Sequence, residues 1–278
     1  MEPSFIEANG VKFAYLEQGK GPLVMLVHGF PDTAYSWDRV MPAVAELGYR
    51  VVAPFTRGYW PSEAKGPYDS DTLGADLIAL IDALGEEKAI IVGHDWGASA
   101  SYCAAGSRPD RVKLLITLAI PHPKSLKPNP FTLWKIRHFF VLGGKNGPAK
   151  ARKNNYAYID ELWRRWSPAW KDLPASETAH VKEAFSHDGC LEAACAYYAA
   201  VDLRKRPMGQ RPNIKVPTVS FAGTEDTIAP RQYEKARHCY DASYEVVQVP
   251  GGHFMHREHP TEFITELVRT LKEHAQRQ

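Results

Sequence analysis

The residues best suited to chemistry in this chain are an aspartate, an acidic pair and a histidine, each in a loop of a particular kind. Asp95 sits at the centre of Gly93-His94-Asp95-Trp96-Gly97, where a β-branched apolar run meets small residues suited to a helix start. A sharp turn of this type exposes its central side chain only if its neighbours carry no bulk, which is the part of Gly93 and Gly97. A carboxylate is ionised at neutral pH, so Asp95 can attack carbon without a base to activate it. Taken alone, the same stretch also reads as an ordinary strand–turn–helix with an acidic turn residue. Farther on, Glu225 and Asp226 follow one apolar run, and His253 lies in Pro250-Gly251-Gly252-His253-Phe254 after the next. Asp226 is the acid expected to orient that histidine, although Asp is also common in turns and helix caps. His94, inside the elbow, is expected to pack or hydrogen-bond locally, and His256 and His259 to lie at the start of the last helix. His28-Gly29-Phe30-Pro31 closes an earlier apolar run, where a backbone N–H can join that of the residue after Asp95 to bind an oxyanion. Phe30 and Trp96 are the expected donors.

These loops need a sheet that presents them at one edge. Asn9-Gly10 between two alternating runs predicts an antiparallel hairpin with a type I′ turn. Residues 23–27 form a continuous apolar run typical of a strand buried on both faces. Helices are predicted over residues 35–47 and 71–84, and strands over 49–54 and 112–120. The strand–helix alternation implies a mostly parallel sheet, α/β in class, whose ligands meet the carboxyl ends of its strands. From residue 123 to 214 no strand-like run occurs, and tryptophans and tyrosines fall in helical stretches broken by prolines. This predicts a helical cap over 123–214, inserted between core segments 1–122 and 215–278. Strands resume over 216–222 and 244–249, and a final helix over 260–274.

Composition excludes several classes of function. The chain has 278 residues, 44% of them hydrophobic, and a net charge of +2 with interspersed signs, which fits a globular core and gives no basic stripe for nucleic acid. Four cysteines without metal-type spacing are expected as reduced thiols. No signal-like start or apolar span of membrane length is found, so a cytoplasmic protein is expected, as a monomer or homodimer.

The chain resembles an α/β-hydrolase of the epoxide hydrolase and haloalkane dehalogenase branch. The likeness runs through HGFP at 28–31, RGYWPS at 57–62, GHDWG at 93–97, Asp226 and His253. The aspartate elbow is its specific element, because esterases and lipases of the fold place serine there. One departure is Phe55-Thr56, where relatives commonly have Asp after the proline, with Trp60 in place of glycine. The resemblance implies an ester between Asp95 and the substrate carbon, hydrolysed by water that His253 deprotonates, without metal or cofactor. It also implies a ring-opening tyrosine in the cap, for which Tyr198 matches the family position. Adjacent helical residues point about 100° apart, so only one of Tyr197 and Tyr198 is expected to face the cavity. The family's other cap tyrosine has no clear counterpart: His138-Phe139-Phe140-Val141 offers phenylalanine, with His138, Tyr156 and Tyr158 as substitutes. Dehalogenases typically carry a side-chain halide donor where Phe30 stands, so the expected substrate is a small apolar epoxide, with cap tryptophans as walls suited to an uncharged molecule. Haloalkane dehalogenation is the alternative within the branch, and a non-catalytic receptor with the same fold is the alternative of another class.

Overall fold

The computed structural model describes residues 1–126 and 134–276. Eight strands form one sheet in the order β1-β2-β4-β3-β5-β6-β7-β8. Strands β1 (Ser4–Ala8) and β2 (Val11–Gln18) pair antiparallel across Asn9 and Gly10, whose φ angles of 46° and 71° are the left-handed pair a type I′ turn requires. Strand β2 also pairs antiparallel with β4 (Arg50–Pro54), and every later pairing is parallel. The central strands β3 (Leu23–Val27), β5 (Ala89–His94) and β7 (Thr218–Gly223) are buried at every position, and β6 (Val112–Leu118) at all but Lys113. Their unbroken Val, Ile and Leu runs are what a sheet covered on both faces requires.

Helix α1 (Met41–Ala45) is short, and Ala34–Trp37 makes only a 3-10 turn, so the helix expected over residues 35–47 is split. Pro42 lies near the start of α1 and the stretch before it stays in tight turns. Helices α2 (Ser70–Ala83) and α3 (Trp96–Ser107) pack on each other; Asp69 caps α2 by accepting the Thr72 N–H at 3.0 Å. Strand β8 (Tyr244–Val249) completes the sheet edge.

Between β6 and β7 the described residues form helices and turns but no strand. Helices α4 (Arg137–Leu142), α5 (Gly147–Trp166), α6 (Ala175–Ser186) and α7 (Cys190–Ala199) build this layer. Helix α5 is broken at Lys153 to Tyr156, where three successive residues take positive φ. After β7 come α8 (Pro230–Lys235), α9 (Met255–Glu258) and α10 (Pro260–Gln276). The four cysteines are buried and unbonded to one another. None of the described helices is long and apolar enough to cross a membrane.

Candidate active site

Strand β5 ends at His94 and α3 begins at Trp96, leaving Asp95 alone to turn the chain, with φ 52° and ψ −115°. Such a backbone is costly for a residue with a Cβ and persists where packing fixes it. Packing does so here: a Cβ on Gly93 would lie 2.5 Å from Ser101 Oγ, and one on Gly97 would overlap the Val27 carbonyl. The turn therefore depends on two positions without side chains.

The Asp95 carboxylate is buried, with its oxygens in different surroundings. Oδ1 accepts the Phe30 N–H at 2.9 Å, and Oδ2 lies 3.3 Å from His253 Nε2. Burial by itself would raise this carboxyl's pKa, but His253, His94 and the Phe30 N–H together hold it below the usual aspartate value. Trp96 is the first residue of α3, so its N–H has no acceptor within the helix and is free to join Phe30 as a donor. Phe30 is held in turn by His28. The His28 Nε2 accepts the Thr56 N–H at 3.0 Å, which makes Nδ1 the donor to the Gly29 carbonyl at 2.9 Å. Burial depresses His28 to about 4, so it stays neutral.

His253 projects from the loop after β8. Its Nδ1 lies 3.4 Å from Asp226 Oδ2, in the turn after β7. The sequence left Glu225 and Asp226 side by side; the turn exposes Glu225 and buries Asp226 against the imidazole. Asp226 Oδ1 accepts the Thr227 hydroxyl at 3.0 Å, which fixes the carboxylate's orientation. Burial alone would lower the His253 pKa, but carboxylates on both ring nitrogens, Asp226 foremost, raise it to about 10. The two carboxylates thus favour the protonated imidazole in the resting protein.

Across from Asp95, Tyr198 on α7 packs edge-on against Phe30 (5.0 Å between ring centroids), Trp96 (5.2 Å) and Phe139 (4.8 Å). Burial and the Asp95 charge push its phenol pKa well up, so it stays a proton donor. Tyr197 turns the other way, giving its hydroxyl to the Arg57 carbonyl at 2.5 Å. Of the three substitutes for a second cap tyrosine, Tyr156 donates to the Phe185 carbonyl at 2.9 Å, and Tyr158 lies on α5 among arginines. His138 is the one whose ring meets Tyr198, at 5.7 Å, and it also contacts Trp166 at 4.8 Å. Burial lowers its pKa to about 3, leaving it neutral.

Behind His253 lies a group that sequence reasoning missed. His94 donates from Nε2 to the His253 carbonyl at 2.9 Å, which agrees with its expected local role. His256 falls in α9 just ahead of the last helix, but it is fully buried, stacked on Trp37 and hydrogen-bonded to Ser36 Oγ at 2.8 Å. Both approach the buried Asp32, whose Oδ1 also accepts from His180 Nε2 at 3.0 Å. Burial would raise the Asp32 pKa; His180 and the other imidazoles hold it well below the usual range. The signal in the sequence was an acid directly after His28-Gly29-Phe30-Pro31, in a segment otherwise destined for the core. Ligand atoms of Asp32, His94 and His256 lie within 4.8 Å of one another. Zinc with ligands at about 2.1 Å would draw them to roughly 3.4 Å apart, so the group reads as a polar support. The loop that departs from the family pattern packs through Arg57, which is buried and paired with Asp76 at 2.5 and 2.7 Å.

Residues 22–260 match the alpha/beta hydrolase fold family. The AB hydrolase superfamily protein YfhM of Bacillus subtilis is 33% identical over 95% of each chain. Epoxide hydrolase A of Mycobacterium tuberculosis is 30% identical over 96% of each. The crystal structure of a Bacillus megaterium epoxide hydrolase in complex with an inhibitor superposes with a TM-score of 0.86 at 22% identity, covering 97% of this chain and all of that one, a likeness of fold.

Proposed function

The chain belongs to the α/β hydrolase fold family, and we propose that within it the protein is an epoxide hydrolase that opens its substrate to a vicinal diol through an ester on Asp95. The reading rests on one arrangement: an ionised Asp95 with one oxygen on the Phe30 N–H, the other facing His253, and Tyr198 opposite. The epoxide hydrolase among its full-length relatives supports the substrate class.

In the first step Asp95 Oδ2 attacks a ring carbon, the carbon–oxygen bond breaks, and the departing oxygen takes the proton of Tyr198. His138, beside Tyr198, stays neutral. Esterification removes the Asp95 charge, and with it one of the two carboxylates that hold the His253 proton. Released through solvent, that proton restores Tyr198 and leaves His253 neutral. In the second step His253 takes a proton from water, and the hydroxide attacks the Asp95 carbonyl carbon. The N–H groups of Phe30 and Trp96 hold the oxyanion while Asp226 stabilises the imidazolium. Collapse expels the diol and returns Asp95 with one oxygen from water. The helices over this edge act as a cap whose aromatic side chains keep the ester from bulk water.

A single turnover in ¹⁸O-water tests the reading. The first diol is expected to carry ordinary oxygen from Asp95, and later diols the label. Label in the first product would sink the covalent route. Halide release from a bromoalkane without diol formation from styrene oxide would move the protein to dehalogenation.

A further inference from the structure

The loop that carries His253 is fastened to the helical layer at two adjacent peptides. The His253 N–H donates to the Trp166 carbonyl at 2.7 Å. That carbonyl is available because α5 ends at Trp166, and the last oxygens of a helix have no partner inside it. One residue earlier, the Gly252 N–H donates to Glu258 Oε1 at 2.9 Å. The other oxygen of the same carboxylate, Oε2, accepts the Ala169 N–H at 3.2 Å, just beyond the end of α5. Glu258 closes the short helix α9 and reaches back over its own turn, the direction in which helical side chains lean. Only glycine leaves room for this approach: a Cβ on Gly252 would overlap the Trp166 carbonyl oxygen and lie 2.6 Å from Pro168 Cδ.

The partners that hold Glu258 are backbone N–H groups, one on each oxygen, which an ionised carboxylate alone can accept together. Burial, with the Asp226 charge adding to it, pushes this carboxyl up to about 7, and the N–H groups pull against that. The rest of the loop is held from other sides. The Glu225 N–H donates to the Gly251 carbonyl at 2.9 Å, which ties the loop to the turn of Asp226, and His94 Nε2 meets the His253 carbonyl at 2.9 Å. The Gly252 N–H is the one of these loop groups that a carboxylate holds, and that carboxylate also grips the cap. Small rotations of the Gly252 peptide are passed directly to His253, whose Nε2 stands 3.3 Å from Asp95 Oδ2.

From these contacts, and resting on the ester mechanism proposed above, we propose that Glu258 is a positioning residue for the hydrolytic half of the reaction. With the Gly252 N–H on one oxygen and the Ala169 N–H on the other, it locks the His253 loop to the cap segment 166–169 and so fixes where the imidazole stands over the Asp95 ester. Ester formation relies on Asp95, the Phe30 N–H and Tyr198, none of which Glu258 bonds. Water activation relies on His253, where a small misplacement is enough to slow the step.

The test separates the two steps in stopped flow with styrene oxide. Glu258→Gln keeps the size of the side chain but turns an N–H donor towards one of the two backbone donors. Ester formation in this variant is expected within about twofold of wild type, and ester hydrolysis slower by about tenfold. In the steady state kcat and KM should fall together with kcat/KM nearly unchanged, and intact mass should find the ester accumulated. Glu258→Asp, which keeps the charge but is too short to hold both N–H groups, should lie between the two. Equal losses in both steps, or a smaller active fraction with both rates unchanged, would mean a merely structural role and overturn the proposal. So would two unchanged rates. Diol formation by the wild type without any ester on Asp95 would instead overturn the mechanism beneath it.

Discussion

At the scale of single residues, the two oxygens of Asp95 already divide the work. Oδ1 rests on the Phe30 N–H, so Oδ2 is the one left to attack, and it is also the one beside His253. If His253 serves only the second step, His253→Gln is expected to form the ester and fail to release it. Intact-mass measurement should find the protein heavier by one substrate, and an unmodified mass after incubation with epoxide would remove His253 from that role. Tyr198→Phe keeps the edge-on aromatic packing against Phe30, Trp96 and Phe139 while deleting the proton donor. Ester formation, followed in stopped flow, should slow by roughly 10²-fold, the usual contribution of a positioned general acid. The neighbouring Tyr197→Phe loses the bond to the Arg57 carbonyl, away from Asp95, and its effect should appear in thermal stability.

At the scale of elements, the site depends on turns that cannot be altered freely. The elbow joins β5 to α3 through one strained residue and requires Gly97 to lie against the Val27 carbonyl, so the end of β3 and the start of α3 are fixed together. Gly97→Ala is expected to displace Asp95 and lower turnover even where the protein stays folded, readable as activity lost per molecule with an unchanged far-UV spectrum. The loop after β4 is anchored differently, by the buried Arg57–Asp76 pair, which also takes in Asn9 from the first hairpin. Burial outweighs the pull of Arg57 and leaves the Asp76 carboxyl above its ordinary pKa. Arg57→Met would strand that carboxyl and should cost about 3–5 kcal/mol in a denaturant melt. Pairing it with Asp76→Leu should recover much of the loss, because an apolar pair needs no desolvation of charge.

At the scale of the molecule, the helical layer and the sheet meet directly over the candidate triad. The His253 N–H donates to the Trp166 carbonyl at 2.7 Å, Trp163 Nε1 donates to the Pro31 carbonyl at 2.9 Å, and Trp163 stacks on Phe254 at 3.7 Å. His180 on α6 reaches Asp32 in the core, and Glu177 on the same helix pairs with Arg257 at 2.8 Å. The loop carrying His253 is thus clasped by both layers, and its charge state bears on overall stability. The folded protein raises His253 from 6.5 to about 10, so the stabilisation is complete below about pH 6.5 and is lost as pH rises towards 10. Thermal midpoints measured between pH 6 and 10 should fall in the wild type. The fall should be smaller in Asp226→Asn, where the carboxylate first responsible for the shift is gone.

What the sequence by itself determined was local: an acidic apex between two glycines, a hairpin at Asn9-Gly10, apolar runs that must be central strands, and the order of the loops that follow them. Each of these is set within a few residues, by backbone sterics or by a period that chain-local burial imposes. Only the tertiary structure decided between neighbours and joined distant positions. Glu225 and Asp226 differ by a turn that buries one and exposes the other, and Tyr197 and Tyr198 by the rotation of α7 against the core. The gathering of Asp32, His94 and His256 behind His253 brings together residues more than sixty positions apart at the nearest. No periodicity encodes such meetings, because strand order and helix packing are settled by the whole core at once.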